Sequence, residues 1–425
     1  MNSSQAGARS GFSLSRTSYS MIFIIAGGAL FLVGLLGAVI PGLNTSLKAS
    51  IYDLPILVVL IGIILFLRGG VQFLRRARLS SEVIISGRTA SQFFFNNAII
   101  IALLVLVGVI CVIQPMFMQV TVVLDIFKLA SPRLVIALGI CFSLIIAGTD
   151  LSAGRMVGLS AVIVGSMLQN ADYGHLFFGK YIDISVIWPI LIAIGACICF
   201  GLISGFLVAQ FKMHPFIATL AVQVMVYGAA SLYFDMSPNN SQPIGGIRTD
   251  FSSIGQARIF EGLFGLDKSF KGISILVPIA LFFCVLIWFV LNKTVFGKNV
   301  YAIGGNREAA VVSGVNVYVT ILFIFVIGAA MYGIGGVLEA ARTAGATNNY
   351  GNGYELDAIA ACVVGGVSLN GGIGKVGGIV SGVLIFSVIQ YGLQFISLSP
   401  MWQQIIKGAI IAIAVAIDMT KYNKK

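Results

Sequence analysis

Long apolar runs separated by short polar stretches recur along the whole chain. Most of these runs approach the roughly 20 residues that a helix needs to cross a bilayer. Because lipid offers no hydrogen-bond partners, backbone groups in such runs must bond internally, which favours helices. The pattern predicts an all-α polytopic membrane protein with about twelve transmembrane segments. The predicted segments are residues 21–40, 51–67, 97–113, 134–148, 156–168, 185–208, 216–234, 273–291, 317–338, 355–368, 376–396 and 404–419.

Two of the predicted segments are interrupted rather than continuous. The first is GTDLSAGRMVGLSAVIVG at 148–165, and the second is GNGYELDAIAACVVGG at 351–366, which continues as VSLNGGIGKVGG at 367–378. Each segment joins charged residues and glycines to small apolar residues. Paired broken helices in the two halves of a transporter are the best sequence indication of its solute site. We therefore expect the translocation path near these two segments.

Basic residues are concentrated in three places, at 68–88, at 293–307 and at 421–425. Cytoplasmic loops of membrane proteins are rich in Lys and Arg. An even number of predicted segments separates these regions, so all three can lie in the cytoplasm together with both termini. This arrangement accounts for the formal net charge of +11. The chain has no basic stripe with interleaved aromatic residues, so nucleic-acid binding is not expected.

The composition indicates that membrane lipid surrounds the protein. Hydrophobic residues make up 58% of the chain and charged residues 10%, against roughly 25% charged in soluble domains. All six cysteines fall inside apolar runs, without the spacing of metal ligands or disulfides, so no metal is expected. The sequence also lacks a phosphate-binding G-x-x-x-x-G-K-[ST] loop and an H-E-x-x-H motif. We expect no catalytic residue and no cofactor on this chain.

The first two predicted segments and the basic stretch after them differ from the rest of the chain. Their apolar runs hold few polar residues, and residues 75–88 form a linker of low hydrophobicity. We therefore predict a boundary near Ser91. Residues 1–90 would hold a cytoplasmic tail, two extra transmembrane helices and the linker, and residues 91–425 would hold the transport core. A chain that starts near Ser91 should still insert and assemble.

Asp150, Ser152 and Arg155 are the polar candidates of the first broken segment. A charge at the bilayer centre costs roughly 2.5–3.5 kcal/mol on insertion scales, so charged residues there face a cavity or a partner. A turn would let Asp150 and Arg155 pair at the centre; alternatively, both lie in a surface loop where charges cost little. Ser152 is expected to cap the helix that begins at Ala153, with a hydrogen bond to a sugar hydroxyl as the alternative.

The second broken segment offers amides, acids and a hydroxyl. Five polar residues at or just before its start can either hydrogen-bond a hydroxyl-rich solute or form an ordinary turn. They are Asn348, Asn349, Tyr350, Asn352 and Tyr354. Glu355 and Asp357 begin the apolar run that follows, where acids also favour a helix N-terminus. Ser368 lies among small residues that would let helices slide past each other or pack tightly in place.

The stretch FGKNVYAIGGNREAAVVSGVN at 296–316 is polar enough to leave the membrane. Within it, REAAVVSG predicts a short surface helix that stops at Gly314. Any amphipathic connector has such a helix, but the order of one glutamate, two alanines, three further residues and a glycine is more specific. It resembles the EAA-x-x-x-G loop of bacterial ABC-importer permeases, which docks into the ATP-binding subunit. The resemblance implies ATPase coupling for Asn306, Arg307, Glu308, Ala309, Ala310 and Gly314.

Further stretches carry the same resemblance from about Leu134 to Lys425. They are AGTDLSAGRMVGLSAVIVG (147–165), MHPFIATL (213–220), NKTVFGKNVYAIGGNREAAVVSGVNV (292–317), YELDAIAACVVGGVSLNGGIG (354–374) and WQQIIKGAIIAIAV (402–415). Together they resemble the ribose/galactose/xylose group of ABC sugar-importer permeases, with the galactose/methyl-galactoside branch matching best. That family has a ten-helix layout, from which the first 90 residues depart.

This resemblance implies a permease subunit that carries a monosaccharide, namely galactose, glucose or a methyl galactoside, across the bacterial inner membrane. It also implies a permease homodimer, a separate ATP-binding cassette subunit that hydrolyses ATP, and a periplasmic or extracellular sugar-binding protein. The polar residues of the broken segments are our candidates for the translocation path. They are Asp150, Ser152, Arg155, Asn348, Asn349, Glu355, Asp357 and Ser368.

Two other functions stay open at this point. A ribose or nucleoside permease of the same group would share the ATPase loop, so motifs do not separate it from a galactose permease. An ion-coupled secondary transporter would use Asp150, Glu355 or Asp357 as its ion site, but the cytoplasmic loop would then have no purpose.

Overall fold

A computed structural model describes residues 13–15, 82–84, 103, 106–259 and 272–422 of the chain. The predicted segments at 21–40 and 51–67 lie outside the described residues, as does the predicted boundary near Ser91. By internal contacts the chain forms two compact units, Met1–Val123 and Leu124–Lys425.

The first unit contains a small two-stranded sheet. Strand β1 (Ser13–Ser15) pairs antiparallel with β2 (Glu82–Ile84). Residues 106–113 of the same unit are helical, and a 3₁₀-helix follows at Pro115–Met118.

Helices dominate the described residues from Val120 onward. They are α1 (Val120–Ile145), α2 (Ala153–Met167), α3 (Ile187–Gln210), α4 (Pro215–Phe234), α5 (Thr249–Gln256), α6 (Leu276–Lys293), α7 (Val295–Gly305), α8 (Arg307–Val312), α9 (Val317–Thr343), α10 (Tyr354–Val364), α11 (Val376–Phe395) and α12 (Pro400–Tyr422). A second small sheet pairs β3 (Arg258–Ile259) with β4 (Ile273–Ser274) before α6. Six helices, α1, α3, α4, α6, α9 and α11, are long and apolar enough to cross a membrane. The predicted all-α polytopic class is confirmed.

Helix α1 differs most from its predicted segment. It begins at Val120, whereas the hydropathy pattern placed its start at residue 134. Asp125, Lys128 and Arg133 lower the hydropathy of its first half. The structure accommodates two of these charges by pairing: Asp125 lies 3.8 Å from Arg258, and Arg133 lies 3.8 Å from Asp357.

The two interrupted segments form short helices. Helix α2 has 15 residues and α10 has 11, both below the roughly 20 needed to cross a bilayer. The segments predicted at 156–168 and 355–368 are therefore half-helices, in agreement with the prediction of broken helices.

Helix α9 is the centre of the second unit and packs against α2, α3 and α5. Small residues allow this close approach. A Cβ atom on Gly201 of α3 would overlap the Cβ of Ala329 on α9. On the α2 side, the Ser160 hydroxyl donates to the carbonyl oxygen of Gly333 at 2.7 Å. The first broken segment is thus held against one continuous helix.

Candidate functional site

The two broken segments meet inside the bundle. After α9 ends at Thr343, the chain turns back along α2, passing from Ala346 beside Gly165 to Gly351 beside Gly154. Gly154 and Gly165 are about 16 Å apart along α2, at 1.5 Å per residue. Helices α2 and α10 therefore both begin in the interior of the bundle, next to each other.

Glycines on α2 make this meeting possible. A Cβ atom on Gly154 would overlap the carbonyl oxygen of Gly351 and the carboxylate of Glu355. One turn later, a Cβ on Gly158 would lie 2.5 Å from the carbonyl oxygen of Tyr350. Any larger residue at these positions would push the two broken segments apart.

Asp150 is buried beside this junction, with 2% of its surface exposed. Its carboxylate accepts hydrogen bonds from the backbone N–H of Ser152 at 3.0 Å, from the Ser152 hydroxyl at 2.6 Å and from the Tyr332 hydroxyl at 3.0 Å. Neither alternative left open from the sequence holds for Asp150: it bonds to partners other than Arg155, and it is too buried for a surface loop. The expected cap is wrong as well: Ser152 precedes α2, but its hydroxyl bonds to Asp150 and makes no cap bond.

Arg155 points to the second broken segment instead. Its Nη2 donates to Oδ1 of Asn352 at 3.0 Å, and its guanidinium carbon lies 4.4 Å from the ring centre of Tyr227. Glu355 is 6% exposed, and its carboxylate packs against Gly154, the residue before Arg155. The junction thus holds an Arg, a Glu, an Asn and a Tyr from three segments of the chain.

These contacts predict which variants are coupled in stability. Asp150→Asn and Tyr332→Phe should be non-additive by about 1–2 kcal/mol in the free energy of unfolding. Both change the same buried hydrogen bond, because the first neutralises its charged acceptor and the second removes its donor. Asp150→Asn and Arg155→Met should add, since the two side chains have separate partners. Thermal unfolding of the single and double variants in detergent gives a double-mutant cycle for each pair. Coupling between Asp150 and Arg155, with none to Tyr332, would contradict the structure.

Asp357 belongs to a second polar cluster. It accepts from Lys407 Nζ at 3.0 Å and lies 3.8 Å from Nη1 of Arg133. Arg133 also donates to Gln390 and lies over the ring of Tyr354, 4.9 Å from its centre. This cluster joins α1, α10, α11 and α12. Sequence reasoning missed Arg133 and Lys407, although each is an isolated charge in or beside an apolar run, which was a usable signal.

The second cluster extends to an ion pair and a small cleft. Arg342 donates to both carboxylate oxygens of Glu339, at 2.7 and 3.1 Å, and the Tyr354 hydroxyl donates to the same carboxylate at 2.9 Å. The cleft beside Arg133 and Ser387 has a volume of about 20 Å³. It can hold one water molecule but not a sugar.

The other candidate path residues lie in two places. Asn348 and Asn349 lie on the return path beside α2, where Asn349 is exposed. Ser368 is buried, and its hydroxyl accepts from the backbone N–H of Asn370 at 3.2 Å. The loop containing Ser368 contacts α7 through Gly371, so it does not lie at the junction of the broken helices.

The connector helix α8 has the predicted form of a short surface helix. Asn306 caps it by accepting from the backbone N–H of Ala309 at 2.9 Å. Arg307, Glu308 and Ala309 are exposed, whereas Ala310 is buried. The helix stops before Gly314, which has a φ of +81°.

Two valines of α8 are further exposed residues that sequence reasoning did not include. Val311 is 56% exposed and Val312 is 90% exposed. An apolar pair that projects from a polar connector is typical of a surface that another protein covers. The VV dipeptide in the middle of REAAVVSG was the available signal.

Helix α7 links this connector to the second broken segment. The Tyr301 hydroxyl donates to the carbonyl oxygen of Gly374 at 2.8 Å, and burial raises the pKa of Tyr301, so the phenol keeps its proton. Gly304 contacts the same loop: its Cβ position would overlap the carbonyl oxygen of Ile145 and lie 2.7 Å from the Gly372 nitrogen. Gly372 N–H in turn donates to Ile145 at 2.8 Å. A movement of α7 would therefore displace the loop after α10 and the C-terminal end of α1.

Comparison with known proteins gives relatives along most of the chain. The galactose/methyl galactoside import permease protein of Haemophilus influenzae is 48% identical over 332 residues, which are 78% of this chain and 96% of the relative. The corresponding protein of Escherichia coli K12 is 46% identical over the same shares. The ribose import permease protein of H. influenzae is 33% identical over 79% of this chain and 96% of the relative. No solved structure matches the chain.

One protein family matches the described helices almost from end to end. Its sequence profile, described as branched-chain amino acid transport system / permease component, matches residues 122–415. The match begins near the start of α1 and ends within α12, so it covers both broken segments and the connector. The chain belongs to this family of membrane permease components.

Proposed function

We propose that this chain is the membrane-spanning subunit of an ATP-driven importer that carries galactose, glucose or a methyl galactoside across a bacterial cytoplasmic membrane. The observation that carries the proposal is a difference in identity. Three galactose/methyl galactoside permeases match at 46–48% over 96% of their length, whereas ribose permeases match at 31–33%. A difference of this size along nearly full-length relatives favours the galactose group.

A separate ATP-binding subunit would supply the energy by hydrolysing ATP. The exposed helix α8, with Val312 at 90% exposure, supports a docking surface for such a subunit. The connector would then lie in the cytoplasm, together with both termini. A periplasmic or extracellular sugar-binding protein would deliver the solute from the other side, and this chain would need no cofactor.

The translocation path would run past the junction of the broken helices, with a second copy of the chain on its far side. The polar side chains at the junction support this placement. Asn349 and Asn352 are exposed and Arg155 is half-buried, and lipid would not solvate them. We assign four residues to the path itself, namely Arg155, Asn348, Asn349 and Glu355. Four others would hold the surrounding segments in place, namely Asp150, Ser152, Asp357 and Ser368.

Two alternatives predict different behaviour. A ribose or nucleoside permease would use the same connector and differ only in solute. An ion-coupled transporter would need a buried acid that is free to bind its ion. In the structure Asp150 and Asp357 are both engaged, the first by two hydroxyls and a backbone amide and the second by Lys407. Glu355 keeps one buried oxygen without a hydrogen-bond partner, so the acids alone do not decide between the mechanisms. The exposed connector helix α8, which an ion-coupled transporter would not need, favours the ATP-driven mechanism.

Competition for uptake tests the proposed solute. Cells without a galactose uptake system would express this chain with its ATP-binding and sugar-binding partners and take up labelled methyl galactoside. Excess galactose or glucose should suppress the uptake, while excess ribose or a nucleoside should not. The same cells carrying the partners without this chain are the control. Suppression by ribose or a nucleoside as strong as that by galactose would contradict the galactose assignment.

A further inference from the structure

Two buried polar atoms at the junction of the broken helices have no hydrogen-bond partner in the described structure. They are Nη1 of Arg155 and Oε2 of Glu355. Leaving a buried polar group unpaired costs about 1–3 kcal/mol, and more when the group is charged. An orphaned donor and an orphaned acceptor at one place therefore call for a molecule that bonds to both.

The arrangement around these atoms is fixed in advance. Asn352 holds one nitrogen of the Arg155 guanidinium at 3.0 Å, and the ring of Tyr227 covers one of its faces. Glu355 is 6% exposed, and its Oε2 packs against Gly154 at the start of α2. Groups held in this way lose little freedom when they bind a ligand.

The junction is accessible from one side of the chain. Tyr227 is 45% exposed near the middle of α4, and Asn352 is also exposed. An arginine facing lipid at that depth would be costly, so water or another protein surface must cover this side. Asn352 was considered from the sequence as a solute contact or a turn residue, whereas Tyr227 was not considered.

We propose that Arg155 and Glu355 bind two neighbouring hydroxyl groups of a monosaccharide on its way through the permease. Oε2 of Glu355 accepts a hydrogen bond from one hydroxyl, and Nη1 of Arg155 donates to the oxygen of the next. The exposed ring of Tyr227 offers an apolar surface for the C–H groups of the sugar. This inference rests on the proposed function, because it takes the solute to be a sugar.

The site would bind weakly and release quickly. One donor and one acceptor, both buried beside the exposed Tyr227 and Asn352, give few contacts, whereas sites that enclose a sugar use many. Weak binding suits a path, because strong discrimination by buried polar groups also holds the solute. Neutral sugars with neighbouring hydroxyls fit the site, and an analogue that lacks one of those hydroxyls would leave Arg155 or Glu355 unpaired.

Ligand-observed NMR on the full-length permease in lipid nanodiscs tests this site without an ATPase or a binding protein. Methyl galactoside is the probe, and ribose and a nucleoside are compared with it. Arg155→Met and Glu355→Gln should each weaken the apparent affinity about tenfold, as expected for the loss of one hydrogen bond to a charged group. Gln223→Met, one turn from Tyr227 on α4, is the matched control and should leave affinity unchanged.

Asn352→Ala and Tyr227→Leu change exposed residues and serve if either buried variant fails to fold, as judged by gel filtration. Asn352→Ala should weaken binding because Asn352 positions Arg155. Tyr227→Leu should weaken binding because the aromatic ring is lost. Equal signals in wild type and all four variants would overturn the inference. No signal in wild type, combined with normal uptake in cells, would also overturn it while the proposed function stands. Absence of sugar uptake in cells would instead refute the proposed function.

Discussion

Uptake of methyl galactoside should fall to background in the double variant Glu308→Lys, Gly314→Leu, while the protein still folds and inserts. Both residues are exposed, and nothing lies near the Cβ position of Gly314, so the core stays intact. A leucine at a φ of +81° costs about 1–2 kcal/mol, which would force the end of the connector to move. The reversed charge at residue 308 would also disturb the docked ATP-binding subunit. Uptake and the amount of membrane-inserted protein are measured together.

A pair of exposed valines provides the matched control for this prediction. Val312→Lys lies on α8, whereas Val295→Lys lies at the start of α7, and the two side chains are 90% and 72% exposed. Val312→Lys should reduce uptake at least about tenfold, because burying an unpaired charge at an interface costs several kcal/mol. Val295→Lys should have little effect. Normal uptake in the double variant at 308 and 314 would show that the connector does not couple the chain to its ATPase.

Gly304→Ala should have the second large effect. The added methyl group would overlap the backbone carbonyl of Ile145, which cannot turn away as a flexible side chain could. We expect a loss of about 1–3 kcal/mol in stability, as for other overpacked sites. Uptake should fall more than stability alone explains, because α7 would no longer fit against the loop after α10.

Gly305→Ala is the control for this effect, since nothing lies within 4 Å of its Cβ position. The ratio of uptake to ATPase activity in the assembled importer separates a coupling defect from simple loss of protein. A Gly304→Ala variant with an unchanged ratio and unchanged stability would show that the contact between α7 and the loop has no mechanical role.

Hydropathy was sufficient to predict the helical membrane fold and most helix positions. The start of α9 at Val317 and the bounds of α11 were predicted within one residue, because neither predicted segment contains a charged residue and each begins directly after a polar residue. Helix α1 could not be predicted in full. Its charged first half is buried against other helices, and only the three-dimensional partners of Arg133 make that placement possible.

The candidate site was predicted in part. Glycine and charge patterns identified both broken segments and the residues Asp150, Arg155 and Glu355. The pattern could not show that Asp150 bonds to Tyr332, because these residues are far apart in sequence and the partner is an ordinary tyrosine in an apolar helix. Tyr227 was missed for the same reason. Local spacing finds a segment, but the partners of its side chains depend on packing between distant helices.

Uptake into liposomes tests directly whether this chain is the membrane-spanning subunit of an ATP-driven sugar importer. Liposomes that contain this chain with its ATP-binding subunit would receive the sugar-binding protein and labelled galactose outside and ATP inside. We expect labelled galactose to accumulate only when ATP is enclosed and the ATP-binding subunit is active. Accumulation should persist when proton and sodium gradients are collapsed. Accumulation driven by either ion gradient without ATP would contradict this function.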